Sequence, residues 1–181
     1  MTAHAPSAIL PTGPLLLASS SMTRRRLLEN AGFEISICGA TVDEQTMRAS
    51  CAAEGIEAGE VAVILAEMKG KAALSRLTPA PGQLLLAADQ ILEIDGEMLG
   101  KPDDHAAAAR QLLRLQGQTH RLHSAAVIMR DGARIWHHLA VNELSMRPLR
   151  ESEVDTYLAR LGQAALSVSY THLTLPTNRE V

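Results

Sequence analysis

A hydroxyl-and-arginine run, Ser19-x-Ser21-x-x-Arg24, lies between an apolar stretch, Leu15 to Ala18, and the start of a helical pattern. Two hydroxyls and the free amides of a helix N-terminus would point at one spot there, and the helix dipole favours an anion at that end. Arg24, about one turn in, could reach back with a forked cation. The same spacing also suits a plain N-cap at Ser21 followed by a solvated basic face over Arg24 to Arg26. Three successive arginines stand ~100° apart around a helix, so they cannot all serve one ligand. Asp89 closes a second apolar run, Leu84 to Ala88. A carboxylate at the C-terminal end of a strand can hold Mg²⁺ or orient a water, and it can equally cap the turn at a strand exit. Lys101, between Gly100 and Pro102, is a point charge for phosphate on a stiffened loop or a solvated loop lysine. Lys69 on a long helical pattern, and Glu44 in a polar loop with Asp43, are surface residues by type.

Other chemistries lack their residues. His120 and His123 are three apart on a strand pattern and face opposite sides. His137 and His138 are adjacent and diverge. No HExxH or Cys/His ligand spacing is present, and no GxSxG elbow, Walker loop or GxGxxG fingerprint. Cys38 and Cys51 form no CxxC pair and read as small buried or half-buried apolar residues.

The elements that must position these groups follow from periodicity. Leu15 to Ala18 reads as a buried strand, Met22 to Ala31 as a helix stopped by Gly32, and Phe33 to Cys38 as an alternating strand. Gly39 to Glu57 reads as mixed and polar, with a loop carrying Asp43 and Glu44. A helix is expected from about Gly59 to Leu77, where Val61, Ile64, Leu65, Met68, Ala72 and Leu74 recur at helical spacing. Leu84 to Ala88 is a strand, and Ile91 to Ile94 with Glu97 to Leu99 a hairpin around Asp95-Gly96. Asp103 is the expected N-cap of a helix from Ala106 to Leu115. Thr119 to Met129 is a long strand, Asp131-Gly132 a turn, Ala133 to Arg147 another long strand or a pair of strands, and Glu151 to Leu161 a final amphipathic helix. This order predicts an α/β fold, a mixed twisted β-sheet flanked by helices on both faces.

The 181 residues suffice for one domain, residues 14–166, with a loose leader over 1–13 that is not a signal peptide. Hydrophobic residues are 46% and charged residues 20%, which excludes a disordered chain. A net charge of −3 and 2% aromatics argue against a nucleic-acid coat or a stacking platform. No apolar run approaches a membrane span, so no membrane partner is expected and the cytoplasm is the expected location.

Taken together, these motifs resemble the Maf family of nucleotide pyrophosphatases, whose fold is also that of inosine triphosphatases. LLLASSSMTRRRLLENAGF resembles the family's opening strand, SxSxxR loop and helix. Val42-Asp43-Glu44 resembles its VDE, Leu65 to Lys69 its LAxxKA helix, and Ala88-Asp89 its AD(T/S). Leu99 to Asp103 resembles LGKPxD, and Leu112 to Ser124 resembles the helix and LxGxxHxxxS/T segment. The resemblance implies hydrolysis of a nucleoside triphosphate between the α and β phosphates, with a divalent cation, Mg²⁺ or Mn²⁺, in a cytoplasmic and often homodimeric protein linked to arrest of septation. The alternative is a non-catalytic nucleotide-binding regulator of septation. Ser19, Ser21, Arg24, Lys69 and Lys101 are then expected to bind the substrate, Glu44 and Asp89 the metal, and Asp89 to act on the attacking water. Gln90 stands where the family has a small hydroxyl residue, which is expected to remove a hydroxyl beside the metal. Met22 and Thr23 also depart from the opening loop. The last residues, 167–181, read SVSYTHLTLPTNREV. They resemble translated adapter sequence rather than the family's glycine-rich closing strand, so a non-native tail is expected there, without that strand's pocket glutamine and with no role for Tyr170 or His172.

Overall fold

The computed structural model describes residues 13–39 and 41–161, so the leader and the tail singled out above lie almost wholly outside the described residues. Six strands and five helices follow one another as β1 (Leu15–Leu17), α1 (Met22–Asn30), β2 (Ile35–Ile37), α2 (Glu44–Ala53), α3 (Ala58–Leu74), β3 (Leu84–Ile94), β4 (Glu97–Leu99), α4 (His105–Leu115), β5 (Thr119–Arg130), β6 (Ala133–Ser145) and α5 (Glu151–Leu161). The strands form one sheet in the order β2-β1-β3-β5-β6, with β4 paired to β3. It is mixed, as expected: β1 runs parallel to both β2 and β3, and β4 is antiparallel to β3. β1 is three leucines because it has a strand on each side and both its faces are covered.

Two Asp-Gly pairs make the tight turns. Asp95 and Gly96 have φ of 51° and 78°, and Asp131 and Gly132 have 50° and 82°. Both pairs hold the positive angles that a two-residue hairpin turn requires.

The chain divides into two compact units. The first comprises the described part of Met1–Glu44 with Val63–Asp89 and Ala125–His138. Its core is Leu15, Leu16, Leu17, Leu65, Ala66, Leu85, Ala87, Val127 and Met129. The second comprises Gln45–Ala62, Gln90–Ser124 and the described part of Leu139–Val181. It is built on two clusters, one of Leu92, Ile94, Leu115 and Leu122, the other of Ala108, Leu112, Val154 and Leu158.

Three local expectations are corrected. Residues 44–53 are helix, not loop: only Cys51 of α2 is buried, so there was no apolar stripe to read. β3 continues unbroken from Leu84 to Ile94, so Asp89 lies inside the strand and not at its C-terminal end. The N-cap of α4 is Asp104, whose carboxylate accepts from the Ala107 amide at 2.6 Å, and not Asp103.

Candidate functional site

The site is built from the loop after β1. Ala18 N donates to Leu86 O at 2.9 Å, so the chain leaves the sheet at a fixed point and Ser19 comes next. The Ser21 amide donates to Ser19 Oγ at 3.2 Å, and Ser21 Oγ accepts from the Arg24 amide at 3.4 Å. Ser21 is therefore the N-cap of α1. Arg24 turns inward: its Nη1 donates to Ala88 O at 2.8 Å and to Ser19 Oγ at 3.4 Å. Arg25 pairs with Glu29 at 2.7 Å, and Arg26 is exposed, so only one of the three arginines serves the site.

Lys69 comes from α3. This helix lies close against the sheet because Gly70 has no side chain: a Cβ there would lie 2.4 Å from Met129 Sδ and 3.4 Å from Leu85 Cδ2. Gly70 stands at the place of the last alanine of the LAxxKA pattern, and Met129 fills the space of the missing methyl. The Lys69 ammonium bridges two acids, Glu44 Oε1 at 2.8 Å and Asp89 Oδ1.

Asp89 is 4% exposed, and its second oxygen, Oδ2, is buried with no hydrogen-bond partner among the described residues. Burial raises its pKa above the usual carboxylate range, opposed by Lys69 and Arg24 and reinforced by Glu44. Burial also lowers the Arg24 pKa, opposed by the carboxylates of Asp89 and Glu44. A buried aspartate inside a strand is tolerated because Lys69 supplies its countercharge.

The structure thus brings together Ser19, Ser21, Arg24, Glu44, Lys69 and Asp89, all in the first unit. Lys101 belongs to the second unit, is exposed, and makes no ion pair among the described residues. Gln90 does not stand beside Asp89 in function. Strand alternation turns it to the other face, where its Nε2 donates to Ser124 Oγ at 3.1 Å. The hydroxyl expected to be lost beside the metal is therefore not a hydroxyl of that face. No residue type or spacing signals the Ala88 carbonyl, which holds Arg24 through the backbone. Outside the site, His123 Nε2 and Glu93 Oε2 are 2.7 Å apart in the second unit.

A divalent cation fits the donors present. Among the described residues no group of three or more His, Cys, Asp and Glu converges. Mg²⁺ and its like need only one or two carboxylates when phosphates and waters complete the shell. Glu44 and Asp89 supply two, and Asp89 Oδ2 has unused lone pairs.

Comparison with known proteins finds matches over most of the chain. The family model described as "Maf-like protein" matches residues 14–172. The chain belongs to the Maf-like family. It is 44% identical over 157 residues to a protein of Rhodospirillum rubrum named nucleoside triphosphate pyrophosphatase, covering 86% of this chain and 75% of that one. It is 41% identical over 156 residues to a protein of Rhizobium etli named 7-methyl-GTP pyrophosphatase, covering 86% and 77%. Among solved structures, a HAM1 protein from Coxiella burnetii is similar at a TM-score of 0.44 and 18% identity, over 75% of each chain. In this Maf-like chain, no helix among the described residues is long and apolar enough to cross a membrane.

Proposed function

We propose that this Maf-like chain hydrolyses a nucleoside triphosphate between its α and β phosphates, releasing the monophosphate and pyrophosphate. It is a hydrolase acting on an acid anhydride, with residues 14–166 as the working domain and 1–13 and 167–181 outside it. The observation that carries this reading is Asp89: a buried carboxylate with one oxygen tied to Lys69 and the other unused, beside an inward-facing arginine.

A triphosphate is close to tetra-anionic at neutral pH. Ser19 and Ser21 offer hydroxyls, the start of α1 offers amides, and Arg24 a forked cation, so phosphate oxygens are bound and oriented. Lys101 adds a point charge. Arg24 and Lys69 balance Glu44 and Asp89, so the cluster alone is close to neutral. Further positive charge is required for a tetra-anion. Mg²⁺ or Mn²⁺ held by Glu44 and Asp89 supplies that charge when bound. Asp89 Oδ2 is the atom that orients the attacking water and accepts its proton. Lys69 keeps Asp89 in place and holds its charge against the burial that opposes it. Positioning and charge stabilisation are the main catalytic contributions in such chemistry.

The test is pyrophosphate release over a panel of ordinary and modified nucleoside triphosphates with Mg²⁺ or Mn²⁺. Release is expected from the wild type. Asp89→Asn should lose on the order of 10²–10⁴-fold in rate while keeping the circular dichroism of the folded chain. A near-normal rate in that variant would remove Asp89 from this role. Nucleotide binding without release by the wild type would leave the non-catalytic regulator. The pool of free triphosphates places the reaction in the cytoplasm. A homodimer is supported by β6, the edge strand among the described residues, which exposes Ile135, Trp136 and Val141. Sedimentation of the purified chain as a monomer would dismiss it.

A further inference from the structure

We propose that His123 is a proton-operated latch beneath the first turn of α3, seating that turn while neutral and releasing it when protonated. The inference is independent of the pyrophosphatase reading, because every residue it uses lies in the second unit. Its observation is a buried imidazole with a place for one proton only. His123 is 8% exposed, and its Nε2 lies 2.7 Å from Glu93 Oε2. Its Nδ1 is buried with no hydrogen-bond partner among the described residues. An ionised carboxylate only accepts, so Glu93 takes the Nε2 proton and leaves Nδ1 bare in the neutral ring.

Gly59 covers Nδ1. A Cβ built on Gly59 would lie 3.3 Å from His123 Nδ1 and 2.7 Å from Leu139 Cδ2. Gly59 is not among the glycines with positive φ, so close approach and not backbone conformation calls for glycine there. It is the second residue of α3. The first turn of a helix offers amide donors and the positive end of the dipole. A second proton, on Nδ1, therefore meets donors and no acceptor, and a buried N–H without an acceptor is disfavoured.

The other charges around the ring leave this sign unchanged. Glu93 favours the imidazolium, but it reaches His123 from β3, the strand beside β5. That contact is the same whether or not α3 covers the ring, so it cancels from the difference. Glu57 and Glu60, at the start of α3, are exposed. Arg121, on the same face of β5 as His123, pairs with Glu143 of β6 at 3.2 Å. At Gly59 itself β6 presents the apolar Leu139. His120 lies on the opposite face of β5. Lifting the first turn of α3 admits water to Nδ1. The lifted state thus binds the proton more tightly than the covered state, and cover is lost as pH falls through the histidine range.

Hydrogen exchange on the full chain tests this, read as the protection factor of the Val61 amide, which donates to Glu57 O at 3.0 Å. The Ala108 amide, which donates to Asp104 O at 2.9 Å in the first turn of α4, is the internal control. Between about pH 8 and about pH 5.5, Val61 should lose about 10-fold or more in protection, the effect of one buried donor without an acceptor, and Ala108 should not. His123→Phe should make the Val61 protection independent of pH. Glu93→Gln should keep the loss and move it to lower pH. Gly59→Ala should lower the Val61 protection already at the upper pH. Nitrogen NMR of the wild-type ring, which needs no variant to fold, should show a proton on Nε2 alone in the neutral form and charging in step with the loss at Val61. A neutral ring protonated on Nδ1 would overturn the proposal, as would a Val61 protection indifferent to pH or an equal loss at Ala108. So would a loss that persists in folded His123→Phe, or one that vanishes in Glu93→Gln and so belongs to the carboxylate.

Discussion

Helices α1 and α3 each deliver a cation beside Asp89, by opposite means. On α3, Val61, Ala62, Leu65 and Ala66 are fully buried, and Gly70 lets the helix lie close to Met129 and Leu85. Lys69 is therefore placed by core packing. On α1 none of the nine residues is buried, and Met22 and Leu27 are 57% and 65% exposed. Arg24 is placed instead by its own contacts with Ala88 O and Ser19 Oγ and by the Ser21 cap. A close-packed interior resists displacement, whereas an element with few buried contacts opens locally at small cost. Lys69 is the fixed cation of the site and Arg24 the adjustable one.

The largest effect that would break this contrast belongs to Lys69. Lys69→Ala leaves Asp89 and Glu44 facing each other without their shared countercharge. Breaking a buried pair in this way costs about 3–5 kcal/mol. Arg24→Ala, on the helix without buried residues, should cost only about 1–3 kcal/mol. Both variants should lose activity. Denaturant unfolding of the two side by side checks the ranking, and equal losses of stability would erase the difference between the helices.

Gly70→Ala comes next. Its methyl meets Met129, which is fully buried, so overpacking should cost about 1–3 kcal/mol and move Lys69. Met129→Ala in the same chain opens the space. Recovery of both activity and melting temperature in the double variant, beyond the two singles added together, is the expected sign of coupling. Simple additivity would show that Gly70 does not place Lys69.

The pH dependence of Asp89 gives a subtler effect. Burial raises its folded pKa above the unfolded one. The fold therefore favours the protonated acid. That contribution is complete below the ordinary carboxylate pKa and is lost as pH rises through the raised value. Asp89→Asn, neutral throughout, should melt above the wild type at pH 7, with the gap closing on acidification. Melting curves over that range test it, and a gap independent of pH would mean that burial is not what perturbs Asp89.

The smallest effect is at the cap of α1. Ser21→Ala should cost about 0.5–2 kcal/mol of stability and also raise KM. An unchanged KM would separate the cap from the anion cradle.

Much of this arrangement was legible beforehand. Apolar runs such as Leu15–Leu17 announce covered strands, and Asp-Gly pairs announce hairpins, because those signals depend on neighbours in the chain. Helix α2 was not legible. Its residues bury little, and a helix that buries little leaves no periodic stripe. Asp89 inside β3 was hidden for a related reason. Aspartate is a poor strand residue, and it is made acceptable there by cations far away in the chain, first a lysine twenty positions off.

By itself, then, the amino-acid order determined the local devices: the Ser21 cap, the two Asp-Gly turns, the apolar strands, and the residue types able to handle phosphate. It also carried enough ordered motifs to identify the Maf-like family. Only the tertiary structure decided which charges meet. It turned Arg24 inward and left Arg26 outside, sent Gln90 to the opposite face from Asp89, and set Lys69 between two acids. Countercharge, burial and close packing depend on distances between segments that the chain order does not specify, and those distances choose which polar residues form the site.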